Sequence, residues 1–93
     1  MSTFITRFKS YLRAEKGYSP HTVAAYCSDM EQFIEYLVQI RRRDSAEALA
    51  QATTKEIKRY FAHLYRHGME ASSVERKISA IKTFYRWCRK SGL

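Results

Sequence analysis

Residues 71–90 run without a glycine or a proline, as Ala71-Ser72-Ser73-Val74-Glu75-Arg76-Lys77-Ile78-Ser79-Ala80-Ile81-Lys82-Thr83-Phe84-Tyr85-Arg86-Trp87-Cys88-Arg89-Lys90. Val74, Ile78, Ile81, Tyr85 and Cys88 recur at alternating steps of four and three, which is one apolar stripe at the period of an α-helix. The opposite side carries Ser72, Arg76, Ser79, Thr83, Arg86 and Lys90, three hydroxyls and three cations. Six Lys and Arg against one Glu give the segment +5 of the chain's net +8. One face is therefore suited to burial and the other to a negative partner rich in hydrogen-bond acceptors. Duplex nucleic acid is the first candidate, and a merely solvated basic face is the plain alternative.

The rest of the chain sets the frame for that helix. Ninety-three residues make one domain, 1–93, able to bury somewhat over ~60% of its unfolded surface around a single core. A hydrophobic content of 45%, with 14% aromatic, points to a folded protein rather than a disordered tail. Three glycines and one proline leave too few turns for an all-β fold. No apolar run approaches the ~18 residues that would span a membrane. Arg7, Lys9 and Arg13 interrupt the apolar positions of the N-terminus, unlike a signal peptide. A cytoplasmic location is expected.

In chain order, Phe4, Ile5, Phe8, Tyr11 and Leu12 predict a first helix over 3–16, capped by Ser2 or Thr3 and stopped at Gly17. Ser19-Pro20 opens a second over 20–40. Serine suits the N-cap, and proline suits the first helical position, where its missing N–H has no partner to lose. Val23, Cys27, Met30, Ile34 and Leu37 form its central stripe, widened by Tyr26, Phe33 and Val38. Its acids, Asp29, Glu31 and Glu35, lie beyond the first two turns, so Ser19, His21, Thr22, Ala24, Ala25 and Tyr26 leave an opening that a phosphate can approach without repulsion. Ordinary capping explains the same residues without a ligand.

Arg41-Arg42-Arg43 begins the one long connection, in which Asp44-Ser45-Ala46-Glu47 has capping-box spacing and predicts a short helical turn near 45–50 anchored by Leu49. Thr53-Thr54-Lys55-Glu56 is a clearer capping box for a third long helix over 54–67, with Ile57, Tyr60, Phe61 and Leu64 inward and Gly68 at its end. The fourth long helix, 71–90, starts either with Ser72 and Glu75 as its cap or from Glu70. The expected fold is thus an all-α bundle of four long helices in two hairpins, closed at Gly17 and Gly68. Phe8, Leu12, Met30, Phe33, Ile34, Ile57, Phe61, Leu64, Ile78, Ile81 and Tyr85 are expected in its core.

No phosphate-cradling glycine loop, nucleophile motif or His–carboxylate pair in a cleft marks an enzyme. His63 and His67 lack a third ligand, Cys27 and Cys88 read as buried free thiols, and no metal or cofactor is expected.

Several stretches together resemble a known family. Lys16-Gly17-Tyr18-Ser19-Pro20-His21-Thr22-Val23, then Tyr26, Asp29 and Phe33, is similar to the opening of the core-binding domain of tyrosine recombinases, the phage-integrase and Xer-type site-specific recombinases. Residues 53–68, followed by Ser73-Val74-Glu75-Arg76-Lys77-Ile78-Ser79-Ala80-Ile81-Lys82-Thr83-Phe84-Tyr85-Arg86-Trp87, are similar to that domain's second hairpin. The resemblance covers about residues 4–92. It implies a SAM-like bundle that clamps a recombination half-site of double-stranded DNA, with the second and fourth long helices crossing the major groove. Other recombinase protomers in a synaptic complex are further implied partners.

By position, the resemblance implies that Ser19 and Thr22 hold phosphate, that Ala25 lies on the groove side, and that Ser73 opens the fourth helix. It implies that Lys77 contacts the DNA backbone and that Ser72 and Arg76 fall where base edges are read. Ser79 and Thr83 continue the same stripe. Arg76 is the candidate for sequence readout, because arginine pairs in bidentate fashion with guanine. Two departures stand out: Glu70 replaces a serine found in many members, and Ala24 and Ala25 offer little hydrogen bonding. The family's catalytic domain, with its nucleophilic tyrosine, has no counterpart among these residues. The expectation is a domain that is not an enzyme by itself, with the catalytic domain C-terminal to it in a parent recombinase. A free-standing helix-turn-helix regulator and a basic helical protein–protein adaptor are the alternatives.

Overall fold

The computed structural model describes residues 3–41 and 45–92. They form α1 (Thr3–Ala14), α2 (Pro20–Arg41), α3 (Ser45–Gln51), α4 (Thr54–Arg66) and α5 (Ala71–Lys90), with no strand among the described residues. The all-α bundle of four long helices is confirmed, and the short helical turn is a seven-residue helix, α3. Ser2, Arg42, Arg43 and Asp44, on which the first cap, most of the arginine run and the Asp44 cap rest, lie outside the described residues.

The helix ends follow local chemistry. Gly17 and Gly68 take φ of +64° and +80°, the left-handed conformation that β-carbons disfavour. At Gly68 the turn closes with two reversed bonds, Gly68 N–H to the Tyr65 carbonyl at 3.0 Å and Met69 N–H to the Leu64 carbonyl at 3.1 Å, and Met69 folds onto the core. This is the Schellman arrangement, in which orphan carbonyls find donors past the helix end. The Thr53 capping box is complete: Glu56 N–H donates to Thr53 Oγ1 at 3.2 Å, and Thr53 N–H donates to Glu56 Oε1 at 3.0 Å.

α2 is the central element, packing against α1, α3 and α5, while α4 packs on α5. Its whole central stripe, Val23, Cys27, Met30, Ile34 and Leu37, is buried with Phe33. Two aromatic clusters fix the outer helices. Phe8 meets Phe84 edge-on at 5.2 Å and Trp87 at 5.6 Å, with Tyr11 stacked on Trp87, tying α1 to α5. Phe33 and Tyr36 hold Tyr60 at 5.2 and 4.9 Å, tying α2 to α4.

The buried face of α5 is turned from its expected centre. Val74, Lys77, Ala80, Ile81, Phe84 and Trp87 are buried, whereas Ile78, Tyr85 and Cys88 are only partly buried. Phe84 and Trp87 bring more area to the α1 contact than Tyr85 and Cys88 would, and aromatic area dominates the energetics of a small core. Ile57, Phe61, Ile78 and Tyr85, expected in the core, instead share with Ile81 an open groove of about 590 Å³ between α4 and α5. Tyr85 still anchors α3, its hydroxyl donating to the Leu49 carbonyl at 2.8 Å.

Candidate nucleic-acid interface

The opening of α2 is built by Ser19 and Thr22. Thr22 N–H donates to Ser19 Oγ at 3.2 Å, and Ser19 Oγ–H donates to Thr22 Oγ1 at 3.1 Å. Ser19 is therefore a true N-cap, exposed, with Thr22 half-buried beside it. At α5 the N-cap position falls to Glu70, whose side chain makes no capping bond. Its backbone carbonyl accepts from Val74 N–H at 3.1 Å, and the amides of Ala71, Ser72 and Ser73 have no partner inside the helix.

Neither α2 nor α5 has an acidic residue in its first turn, whereas α3 and α4 carry Glu47 and Glu56 there. The partial positive charge of a helix N-terminus is thus compensated internally in α4, by its capping box, and is left without an acid in α2, whereas at α5 the carboxylate of Glu70 stands at the N-cap itself.

The two helices are joined by charges placed inside the fold. Asp29 of α2 is fully buried. Its Oδ2 accepts from Arg76 Nε and its Oδ1 from Arg76 Nη2, both at 2.9 Å, and Oδ1 also accepts from Lys77 Nζ at 2.7 Å. A carboxylate in a core is tolerated only when paired and hydrogen-bonded, and here two cations meet it. The carboxylate hydrogen bonds hold the Arg76 guanidinium pKa above its ordinary value. One turn away, the Tyr26 phenol of α2 faces Ser79 of α5. The two contacts run in opposite senses along the helices, 26 to 79 and 29 to 76.

Ser72 and Ser79 are exposed, and Ala25, Ser73 and Thr83 are half-buried. Arg76 keeps 46% of its side chain exposed while forked onto Asp29. Lys77 departs from the expected role at the DNA backbone: its side chain is 3% exposed and its ammonium is bonded to Asp29. Among the described residues, Arg86 and Lys90 extend the exposed stripe toward the end of α5, and Lys82, Arg86 and Arg89 line the α4–α5 groove.

The pairing of Asp29 with Arg76 and Lys77 was not among the expected contacts. The signal was present. Tyr26, Asp29, Met30 and Phe33 share one helical face, so an acid stands within an apolar stripe. Lys77 stands likewise between Val74 and Ile81 on α5. Opposite charges set in two facing apolar stripes mark a buried pair.

The remaining titratable groups have structural explanations. His67 Nδ1–H donates to the His63 carbonyl at 2.9 Å, and no cluster of three metal-ligating side chains occurs among the described residues. Cys27 and Cys88 are free thiols whose pKa values burial pushes up, which disfavours the nucleophilic thiolate.

Residues 5–92 match the family described as phage integrase, N-terminal SAM-like domain. The chain is similar to the tyrosine recombinase XerC of Oceanobacillus iheyensis, at 34% identity over 99% of this chain and 29% of the relative. It is similar also to the tyrosine recombinase XerC of Chromobacterium violaceum, at 35% identity over 99% of this chain and 28% of the relative, and to that of Chlorobaculum parvum, at 31% identity over 91% and 26%. The chain thus spans under a third of the length of the curated relatives it matches. No solved structure matches it.

Proposed function

This chain belongs to the phage integrase N-terminal SAM-like domain family, and on that premise we propose that it grips one half-site of duplex DNA for a site-specific tyrosine recombinase. α2 and α5 are the helices that approach the major groove. The observation that carries this reading is the exposed hydroxyl and cation stripe of α5 beside the acid-free, serine-capped opening of α2. Ser19, Thr22 and Ser73 place hydroxyls and amides where phosphates are received. Ala25 lets the backbone of α2 approach the duplex closely. Ser72, Arg76, Ser79 and Thr83 face the groove. Lys77 supports the crossing from inside rather than touching DNA.

In the proposal, positioning and chemistry are divided. These residues hold the duplex while a catalytic domain elsewhere in the recombinase cuts and rejoins strands. Phosphate contact releases counterions, so affinity for duplex falls steeply with salt.

The test is titration of a randomised duplex pool against the 93-residue chain across a salt series, followed by footprinting of an enriched duplex. Salt-dependent binding with protection from both α2 and α5, and no covalent protein–DNA adduct on supercoiled DNA, is the expected result. Protection attributable to a single recognition helix would favour a helix-turn-helix regulator. Absence of salt-dependent binding would favour an adaptor, and a covalent adduct would overturn the non-catalytic role.

A further inference from the structure

We propose that Asp29 is a positioning residue for sequence recognition: from α2 it holds the Arg76 guanidinium of α5 in the one orientation that presents its outer edge to a base. The inference rests on the reading of α5 as a groove-facing helix and adds a second helix to the recognition of a base. A guanidinium has five N–H donors in a rigid plane. Asp29 takes one from Nε and one from Nη2, both at 2.9 Å, which leaves both donors of Nη1 and the second of Nη2. One Nη1 donor and the remaining Nη2 donor form the end-on edge, the pair that meets guanine O6 and N7. With 46% of the side chain exposed, Arg76 is not enclosed by the fold, and in the proposal that edge is the one offered to DNA.

An unrestrained arginine pays rotamer entropy to adopt a single pose, and a forked carboxylate removes that cost before DNA arrives. The carboxylate is itself tightly held. It is fully buried and fixed by Lys77 Nζ at 2.7 Å, so a movement of α2 relative to α5 would shift the arginine. Lys77 thus acts two steps back: it shares Oδ1 with Arg76 and balances the charge of Asp29, so that the buried carboxylate keeps both oxygens on the guanidinium.

The experiment selects duplexes from a randomised pool at fixed salt with three forms of the chain: wild type, Arg76→Ala, and Asp29→Asn combined with Lys77→Met. The double variant removes one negative and one positive charge together, so neither is stranded in the core. The readout is base preference, a ratio that a uniform loss of affinity does not move. Arg76→Ala and the double variant are both expected to lower preference at the same one or two base pairs by about fivefold or more, the lower bound of what a bidentate pair discriminates. A double variant that keeps the wild-type preference, while Arg76→Ala relaxes it, overturns the proposal and leaves Arg76 as an autonomous reader. An unchanged preference in Arg76→Ala overturns it as well, though salt-dependent duplex binding would still stand. No duplex binding by wild type would instead sink the proposed function.

If the double variant does not fold, NMR of the wild type with its own enriched duplex decides. An Arg76 Nε–H that stays protected from water while the Nη signals shift supports the proposal. Loss of Nε–H protection on binding means the fork opens and the proposal fails.

Discussion

The Lys77 ammonium donates to Asp29 Oδ1 at 2.7 Å with both side chains closed off from water. Removing one partner of such a pair leaves the other charged and buried, a change that costs ~3–5 kcal/mol. Because Arg76 still faces Asp29, Lys77→Ala is expected near the lower end, ~3 kcal/mol. Thermal melts followed by helical circular dichroism would read this at ~4–8 °C per kcal/mol for a domain this small. A variant with Lys77→Met and Asp29→Asn together should lose far less. The buried position also means that added salt should barely change the loss.

Tyr60 offers the opposite case. Its hydroxyl is buried with no hydrogen-bond partner among the described residues. Tyr60→Phe removes an unsatisfied polar atom and keeps the ring against Phe33 and Tyr36, so stability should hold or rise by up to ~1–3 kcal/mol. Chemical denaturation of the two forms checks this.

The same phenol sets an alkaline limit. Burial, then the charge of Asp29, pushes the Tyr60 pKa up to about 12 from 10.0. The folded state therefore keeps a proton that the unfolded chain gives up, so stability falls as pH rises above 10 toward 12. At ~1.4 kcal/mol per unit, Tyr60 accounts for ~2–3 kcal/mol of that fall. Tyr60→Phe should flatten the decline between pH 10 and 12. An unchanged decline would assign it to Tyr85, whose pKa burial also raises.

Arg86 is exposed on the polar stripe two to three turns beyond Arg76. If that stripe lies along DNA, Arg86→Ala should weaken binding to all sequences alike and reduce the slope of log K against log salt by about one. The folded double variant at Lys77 and Asp29 should leave the slope where it is. Fluorescence anisotropy over a salt series separates the two.

Caps should divide by role. Thr53→Ala breaks a complete capping box and should cost ~1 kcal/mol of stability with little change in duplex affinity. Ser19→Ala should cost a comparable amount of stability and weaken DNA binding as well. Parallel melts and duplex titrations test that contrast.

Much of this architecture was legible in the residues. Helix boundaries came within about two positions because Gly17, Ser19-Pro20, Thr53 and Gly68 each have one dominant local preference. The central stripe of α2 was legible because its apolar period is long and unbroken. What could not be read from one helix at a time was the angular centre of α5. Val74 and Ile81 are compatible with a face completed by Ile78 and Tyr85 or by Lys77, Phe84 and Trp87. Only the arrival of Phe8 from α1 and Asp29 from α2 selects between them. Lys77 was misplaced for the same reason: a lysine is assigned to solvent until a buried carboxylate from a distant part of the chain accounts for it. The exposure of Ser72 and Ser79 followed from periodicity alone, whereas the fork on Arg76 required knowing which residue of α2 lies opposite.

The Asp29–Lys77 pair also constrains how such a sequence can drift. A domain of this size has a stability of order ~5–15 kcal/mol, and losing either charge alone uses up a few kcal/mol of it. A lineage can therefore abandon the pair only by changing both positions nearly together, or by passing through an intermediate already close to unfolding. Exposed positions such as Arg86 face no such barrier. The exposed stripe proposed to meet DNA can thus be retuned one residue at a time, while the crossing beneath it is inherited as a unit.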